Sequence, residues 1–92
     1  MNDRIKGMLG LAKRAGKLIC GETKVLDAIR SGTAQIVIVT ADASDNTKKL
    51  FHDKCQYYSV PLYEYGTKCD FGYSGMALSD KNFSEAVRRL LG

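Results

Sequence analysis

The chain has 92 residues, of which 45% are hydrophobic and 26% are charged, a composition typical of a globular protein rather than of a disordered or membrane protein. A chain of this length builds one hydrophobic core and has no room for a second catalytic domain, so we expect residues 1–92 to form a single domain. The longest apolar run, Ile36 to Val39, is far shorter than the ~20 residues that cross a bilayer. Three cysteines without metal-type or redox-type spacing predict a reducing cytoplasm.

The net charge of +4 is concentrated in the first third of the chain. Residues 1–30 contain seven Lys and Arg against three Asp and Glu, whereas the remaining residues contain seven of each kind. A positive field confined to one segment favours a polyanionic partner such as a nucleic acid.

The first predicted element is an amphipathic helix that begins after Asn2 or Asp3, either of which can cap it. Gly16 is predicted to adopt the left-handed conformation that ends this helix. Its predicted buried face has the i, i+3, i+4, i+7 spacing of a helix and consists of Ile5, Met8, Leu9, Ala12 and Ala15.

The next elements are a short extended piece over Lys17 to Cys20 and a second helix between Gly21 and Gly32. The predicted inward face of this helix is Val25, Ala28 and Ile29. Gln35 to Thr40 contains the run Ile-Val-Ile-Val without polar alternation, which predicts a central strand covered on both faces. Helices must therefore lie on both sides of the sheet.

In the second half, Ser44 is a candidate N-cap for a third helix, which Pro61 is predicted to stop. The predicted inward face of that helix is Leu50, Phe51, Cys55 and Tyr58. Leu62 to Tyr65 and Met76 to Leu78 are predicted strands, joined by a turn-rich connection from Gly66 to Gly75 with room for one helical turn. The last helix is predicted to be capped by Asp80 or Asn82 and to bury Phe83, Ala86, Val87, Leu90 and Leu91. This order predicts a three-layer α/β sandwich around a mostly parallel sheet.

A cluster of basic residues at the end of the first predicted helix is the main candidate binding site. Lys13, Arg14 and Lys17 precede Gly21, which opens the second helix with unpaired N–H groups that suit a phosphate. If the chain reverses at Gly16, the two helix tips lie side by side and aim their positive charge at one anion. Bases in a last helical turn are also favoured by the helix dipole, by ~0.3 to 1 kcal/mol each, whatever the function, so both interpretations stay open here.

The run Leu9 to Gly21 (LGLAKRAGKLICG), followed by Ala28 to Gly32 (AIRSG), resembles the ribosomal L7Ae/L30e kink-turn RNA-binding family, and in particular its small bacterial YlxQ branch. Further matches are Ile36 to Asp45 (IVIVTADASD), Asp53 to Pro61 (DKCQYYSVP) and Ala77 to Phe83 (ALSDKNF). The resemblance covers nearly all of residues 4–91. It implies an alpha-beta-alpha sandwich around a four-stranded mixed sheet, and binding of structured RNA, with ribosomal RNA and ribonucleoprotein partners expected.

The resemblance also implies an RNA-binding surface. The second helix would enter a widened groove beside tandem sheared G·A pairs, and the loop before the last strand would support an extruded base. The implied residues are Lys13, Arg14, Lys17, Gly21, Glu22, Thr23, Lys24, Asp27, Gly72, Tyr73, Ser74, Gly75 and Met76.

Three positions depart from the family pattern, which places Asn, Glu and Lys at the second, third and sixth positions after the helix-opening glycine. This chain has Thr23, Lys24 and Asp27 there. A lysine supplies donors only, and an aspartate repels phosphate. Because phosphate contacts position an RNA whereas base contacts specify it, we expect affinity to persist while the G·A readout is lost. The loop from Gly72 to Gly75 also looks shorter than in relatives.

Other interpretations of the sequence are a protein-interaction module on a ribonucleoprotein and a small Cys/His enzyme. His52 and Cys55 could share a helical side as base and nucleophile, although Cys55 falls in the apolar phase typical of a buried thiol. Asp45 with these two residues lacks recognised metal spacing, and we predict no metal or cofactor. Base stacking or half-buried packing could each explain the tyrosines at positions 57, 58, 63 and 65.

Overall fold

The computed structural model describes residues 3–91, which form five helices and four strands. The helices are α1 (Asp3–Arg14), α2 (Glu22–Ser31), α3 (Asp45–Tyr57), α4 (Lys68–Phe71) and α5 (Lys81–Leu91). The strands are β1 (Leu18–Cys20), β2 (Ile36–Val39), β3 (Leu62–Glu64) and β4 (Gly75–Leu78).

The strands form one mixed sheet in the order β1-β4-β2-β3. β2 and β3 are parallel, whereas β4 is antiparallel to both β1 and β2. The four-stranded mixed sheet is confirmed, but the mostly parallel sheet expected from the order of elements is wrong. A parallel pair needs a long crossover, and α3 supplies one between β2 and β3, whereas β4 inserts between β1 and β2 in the reverse direction.

The sheet is covered on both faces, which confirms the three-layer sandwich. Val37 and Val39 of β2 face the cluster formed with α2 and α3, while Ile36 and Ile38 face the cluster formed with α1 and α5. All four β2 side chains are at most 2% exposed, as predicted for a central strand. Because each face is sealed by two helices, the positions of the helix ends around the sheet decide which polar groups reach the surface.

Helix α1 ends at Arg14, one residue before the last position of its predicted apolar face. Gly16 has φ 73°, and the amide of Lys17 donates to the carbonyl of Ala12 at 2.8 Å, which is the hydrogen bond of a glycine-terminated helix end. Ala15 was predicted to be buried and is exposed, because it lies in the turn after Arg14 rather than in the helix. Of the two candidate N-caps, Asn2 lies outside the described residues.

Helix α3 also ends before the predicted stop at Pro61. Ser59 takes φ 58°, and the amide of Val60 donates to the carbonyl of Cys55 at 2.8 Å, so the chain turns away directly after Tyr57. Tyr58 therefore leaves the helical phase and is 40% exposed instead of facing inward.

Two predicted N-caps are confirmed by hydrogen bonds. The Ser44 hydroxyl accepts from the amide of Thr47 at 3.2 Å, and Asp80 Oδ2 accepts from the amide of Phe83 at 3.0 Å. Within residues 3–91 no helix has the length and apolar character needed to span a bilayer.

Candidate functional site

An open groove of about 630 Å³ lies where β1 ends and α2 begins. We call it the α2 groove. It brings together six residues that the sequence predicted from three separate segments: Lys13, Gly21, Glu22, Thr23, Lys24 and Tyr73. The end of α1 and the start of α2 thus meet at one surface, as the reversal at Gly16 predicted.

The chain path explains why these tips meet. β1 is only three residues long and lies at the edge of the sheet, where Cys20 pairs with Met76 of β4. Gly21 then takes φ 97° and ψ 145°, a backbone conformation that residues with a Cβ rarely adopt. Its amide donates to the carbonyl of Gly75 at 3.1 Å, which ties the start of α2 to the sheet.

The N-terminus of α2 presents backbone donors to the groove. The carbonyl of Gly21 accepts from the amide of Val25 at 2.9 Å, as the first turn of the helix requires. The amides of Glu22, Thr23 and Lys24 have no acceptor among the described residues. Three N–H groups at the positive end of a helix dipole form a surface that favours an anion.

Two lysines from different helices add positive charge to the α2 groove. Lys13 Nζ lies 5.4 Å from the ring centroid of Tyr73, on the far wall of the groove. Burial raises the pKa of the Cys20 thiol in the groove floor, while the charges of Lys13 and Lys24 act on the same thiol and lower it. Both ammonium groups therefore act at the floor of the groove, with Glu22 as its acidic lining residue.

Of the three basic residues predicted to form one cluster, Lys13 lines the α2 groove and the other two do not. Arg14 and Lys17 are exposed, but they lie outside the lining of the groove. The carbonyl of Lys17 accepts from the amide of Ser79 at 3.0 Å, at the opposite end of β1 from Gly21. The expectation that Lys17 converges with the helix opening is therefore wrong, because the whole of β1 separates the two.

The remaining predicted RNA-binding residue on α2 is an aspartate, which does not favour contact with a phosphate. Asp27 is exposed, and its Oδ1 lies 3.8 Å from Arg30 Nη1. Its carboxylate thus has a partner on its own helix.

The loop before β4 contributes one side chain to the groove, that of Tyr73. Gly72 caps α4 in the left-handed conformation, and the carbonyl of Ser74 accepts from the amide of Thr40 at 2.9 Å. Gly75 and Met76 belong to β4 rather than to the loop, and Met76 is 1% exposed. The expectation that they contact RNA is corrected accordingly, because the sheet encloses both residues.

The groove floor contains residues that sequence reasoning missed. Leu18, Ile19 and Cys20 line it, all of them half-buried. The sequence feature that could have indicated these residues is their position between the basic residues at the end of α1 and Gly21. Their role as a floor depends on β1 being an edge strand, which the local pattern does not encode.

The candidate enzyme pair is divided between the core and the surface. Cys55 is 2% exposed, and burial raises the pKa of its thiol to about 11, so the nucleophilic thiolate is scarce at neutral pH. His52 is exposed, with its Nδ1 3.8 Å from Asp53 Oδ1. In the part of the chain that the structure describes, no three His, Cys, Asp or Glu side chains converge as metal ligands.

The four remaining tyrosines divide into two kinds. Tyr57 and Tyr58 are 80% and 40% exposed, with their ring centroids 4.9 Å apart. Tyr63 and Tyr65 pack against the cluster formed with α1 and α5. None of the four lines the α2 groove.

Comparison with known proteins agrees with this architecture. The chain is 38% identical to the RNA-binding protein YlxQ of Bacillus subtilis (strain 168), over 91% of each chain. It superposes with a TM-score of 0.93 and 31% identity on a solved protein of unknown function from Bacillus halodurans C, with 98% of each chain covered. The 15.5kD RNA binding protein of Giardia lamblia shares the fold, with a TM-score of 0.77 at 19% identity over all of this chain and 88% of that one.

Residues 3–75 match the family described as Ribosomal protein L7Ae/L30e/S12e/Gadd45, which is most of the chain and includes every residue lining the α2 groove. With the four-stranded mixed sheet and the opening of α2 at Gly21, this match confirms the resemblance found in the sequence. The chain belongs to the ribosomal protein L7Ae/L30e/S12e/Gadd45 family.

Proposed function

We propose that this protein binds structured RNA through the α2 groove and catalyses no reaction. The observation that carries the proposal is that Lys13 and Lys24 line the same groove as the first three residues of α2, whose amides have no acceptor within residues 3–91. The YlxQ relative and the Giardia structural neighbour are both named for RNA binding, which supports the same assignment.

Binding follows from the electrostatics of the groove. A phosphate at the start of α2 accepts hydrogen bonds from backbone N–H groups and lies at the positive end of the helix dipole. Lys13 and Lys24 then neutralise neighbouring phosphates, and each neutralised phosphate releases condensed counterions. The affinity therefore falls as salt concentration rises.

The side chains at the start of α2 set the proposed selectivity. Thr23 offers a hydroxyl and Lys24 an ammonium group, while Asp27 is paired with Arg30 on the outer part of the helix. This set recognises the RNA backbone and contains fewer groups for guanine edges than the family pattern does. We propose ribosomal or another structured RNA as the partner, within a ribonucleoprotein, and treat residues 1–92 as one binding unit. The free cysteines at positions 20, 55 and 69 fit a reducing cytoplasm.

The test is a binding titration of the purified chain against two RNAs, a kink-turn and a straight duplex of equal length, at several salt concentrations. We expect both affinities to fall by roughly 0.7 to 0.9 log units per log unit of salt for each phosphate neutralised. Preference for the kink-turn would show that the family's specificity survives Thr23 and Asp27, whereas equal binding would show a reader of the RNA backbone. An affinity that does not respond to salt, or no binding at all, would contradict the proposal and favour a protein-interaction module.

A further inference from the structure

Strand β3 forms one edge of the sheet, opposite the edge at which β1 forms the floor of the α2 groove. Among residues 3–91, β3 pairs with β2 and with no other strand. We infer that this β3 edge is a second binding surface, which takes an extended acidic segment of a partner protein as an added strand. The surface is separate from the α2 groove and does not require RNA.

The backbone of β3 has hydrogen-bonding groups that face away from the sheet. The carbonyl of Pro61 accepts a hydrogen bond from β2, and the amide of Tyr65 donates one to β2, each at 2.9 Å. Because successive residues of a strand direct their N–H and C=O groups to opposite sides, Leu62 and Glu64 direct theirs to the free edge. These donors and acceptors are the groups with which an added strand pairs.

The face of the sheet that α3 covers has a basic flank beside this edge. An open depression of about 510 Å³ there is lined by Lys48 and Lys49 of α3 and by Leu62 and Glu64 of β3. Lys48 Nζ lies 3.3 Å from Glu64 Oε1, whereas Lys49 is exposed and forms no ion pair with residues 3–91. Lys49 is therefore available to a carboxylate of the ligand.

The face of the sheet that α5 covers has a second basic flank. An open depression of about 480 Å³ there is lined by Tyr63 of β3 and by Glu85, Arg88 and Arg89 of α5. Both arginines are exposed, and in the described part of the chain neither forms an ion pair. Since the side chains of an added strand alternate between the two faces, acidic residues on both faces of the ligand would meet the basic residues of both flanks.

The β3 edge favours an acidic polypeptide over two other occupants, a second copy of this chain and an RNA. Two copies joined edge to edge by a twofold axis would place their α5 helices side by side, so Arg88 and Arg89 would approach the same residues of the other copy. Like charges at such a contact are destabilising, which protects a short edge strand from pairing with itself. An RNA backbone has no row of alternating donors and acceptors at the spacing of a strand, so it would leave the free groups of Leu62 and Glu64 unused.

The experiment measures the affinity of the full chain for three synthetic eight-residue peptides by fluorescence anisotropy. The first alternates pairs of valine with pairs of glutamate, which puts acids on both faces of a strand. The second has lysine in place of glutamate, and the third is the acidic peptide with its interior amides N-methylated. We expect the acidic peptide to bind about tenfold more tightly than either of the others, because it alone combines negative charge with N–H donors.

A proline variant tests the backbone of the β3 edge. Glu64→Pro removes an N–H group that faces away from β2, so it keeps the pairing of β3 with β2 and is expected to weaken binding of the acidic peptide about tenfold. Glu64→Ala is the matched control, because it removes the same side chain and keeps the N–H group, and it is expected to retain the affinity. Circular dichroism shows whether Glu64→Pro folds, and the N-methylated peptide decides the same point if it does not.

A pair of double variants tests the charge of the flanks. Arg88→Ala with Arg89→Ala is expected to weaken binding of the acidic peptide about three- to tenfold. Lys13→Ala with Lys24→Ala removes the same charge at the opposite edge of the sheet and is expected to leave the affinity for the peptide unchanged.

Four results would overturn the β3 edge as a site for an acidic strand. Equal binding of the acidic and lysine peptides would remove the role of charge, and unchanged binding of the N-methylated peptide would remove the role of strand pairing. A dimer that Glu64→Pro dissociates in analytical ultracentrifugation would assign the edge to a second copy. Loss of RNA affinity in Arg88→Ala with Arg89→Ala would assign the flank to RNA. The peptide results leave the α2 groove untouched, because its own test uses RNA alone.

Discussion

Lys13 Nζ lies 5.4 Å from the ring centroid of Tyr73, although the two residues are 60 positions apart in the chain. This contact joins the last turn of α1 to the loop between α4 and β4 across the α2 groove. A cation over an aromatic ring is stabilised by ~0.5 to 1 kcal/mol at an exposed site, enough to bias the position of a long flexible side chain. Tyr73 therefore acts as a positioning residue for the lysine.

Replacing Tyr73 by alanine is expected to weaken RNA binding about two- to fivefold, because Lys13 loses the ring that holds it at the groove. Tyr73→Phe is expected to retain the affinity, since it keeps the ring and removes only the hydroxyl. Titration of both variants with the same duplex tests this. A phenylalanine variant as weak as the alanine variant would assign the effect to the hydroxyl instead.

The salt dependence of binding identifies the lysines that contact phosphate. Replacing Lys13 and Lys24 together by alanine is expected to lower the slope of log affinity against log salt by about 1.4 to 1.8. Arg88→Ala with Arg89→Ala is the matched control, because it removes the same charge from exposed positions in the last turn of α5, outside the groove. Equal changes in slope for the two double variants would show that charge acts diffusely over the whole surface.

Gly75 and Phe51 are in close contact across the core. A Cβ at Gly75 would overlap the ring of Phe51, which is 0% exposed and packs in the core cluster formed with α2 and α3. Gly75→Ala is expected to lower the free energy of unfolding by about 1 to 3 kcal/mol, as overpacking of a core does. Gly10→Ala, at an open position in α1, is expected to raise it by about 0.5 to 1 kcal/mol. Urea denaturation measures both changes, and a neutral Gly75→Ala would show that the ring can shift.

The buried thiol of Cys55 gives stability a dependence on alkaline pH. Burial raises its pKa from 9.0 to about 11, so between these values the unfolded chain has lost a proton that the folded chain keeps. This contribution to stability is fully present below pH 9 and is lost as the pH rises through 11, at up to about 1.4 kcal/mol per pH unit. Cys55→Val, which removes the titrating group at similar volume, is expected to give a shallower decline over that range. Identical pH profiles for the two proteins would contradict the assignment.

The sequence by itself determined the local features of this protein. The end of α1 at Gly16, the caps Ser44 and Asp80, and the buried central strand β2 all depend on residues within a few positions of one another. Local hydrogen bonds and short-range spacing decide such features, so they can be predicted without knowledge of the fold. The family resemblance extended these predictions to the mixed sheet and to most of the groove.

Only the tertiary structure decided which charged residues act together. The pairing of Leu18 with Leu78 places β4 beside β1, and this long-range contact turns β1 into the floor of the α2 groove. It also carries Lys17 away from the helix opening and encloses Met76 in the sheet. Strand order and direction depend on pairing between distant segments, for which a local pattern of residues contains no signal.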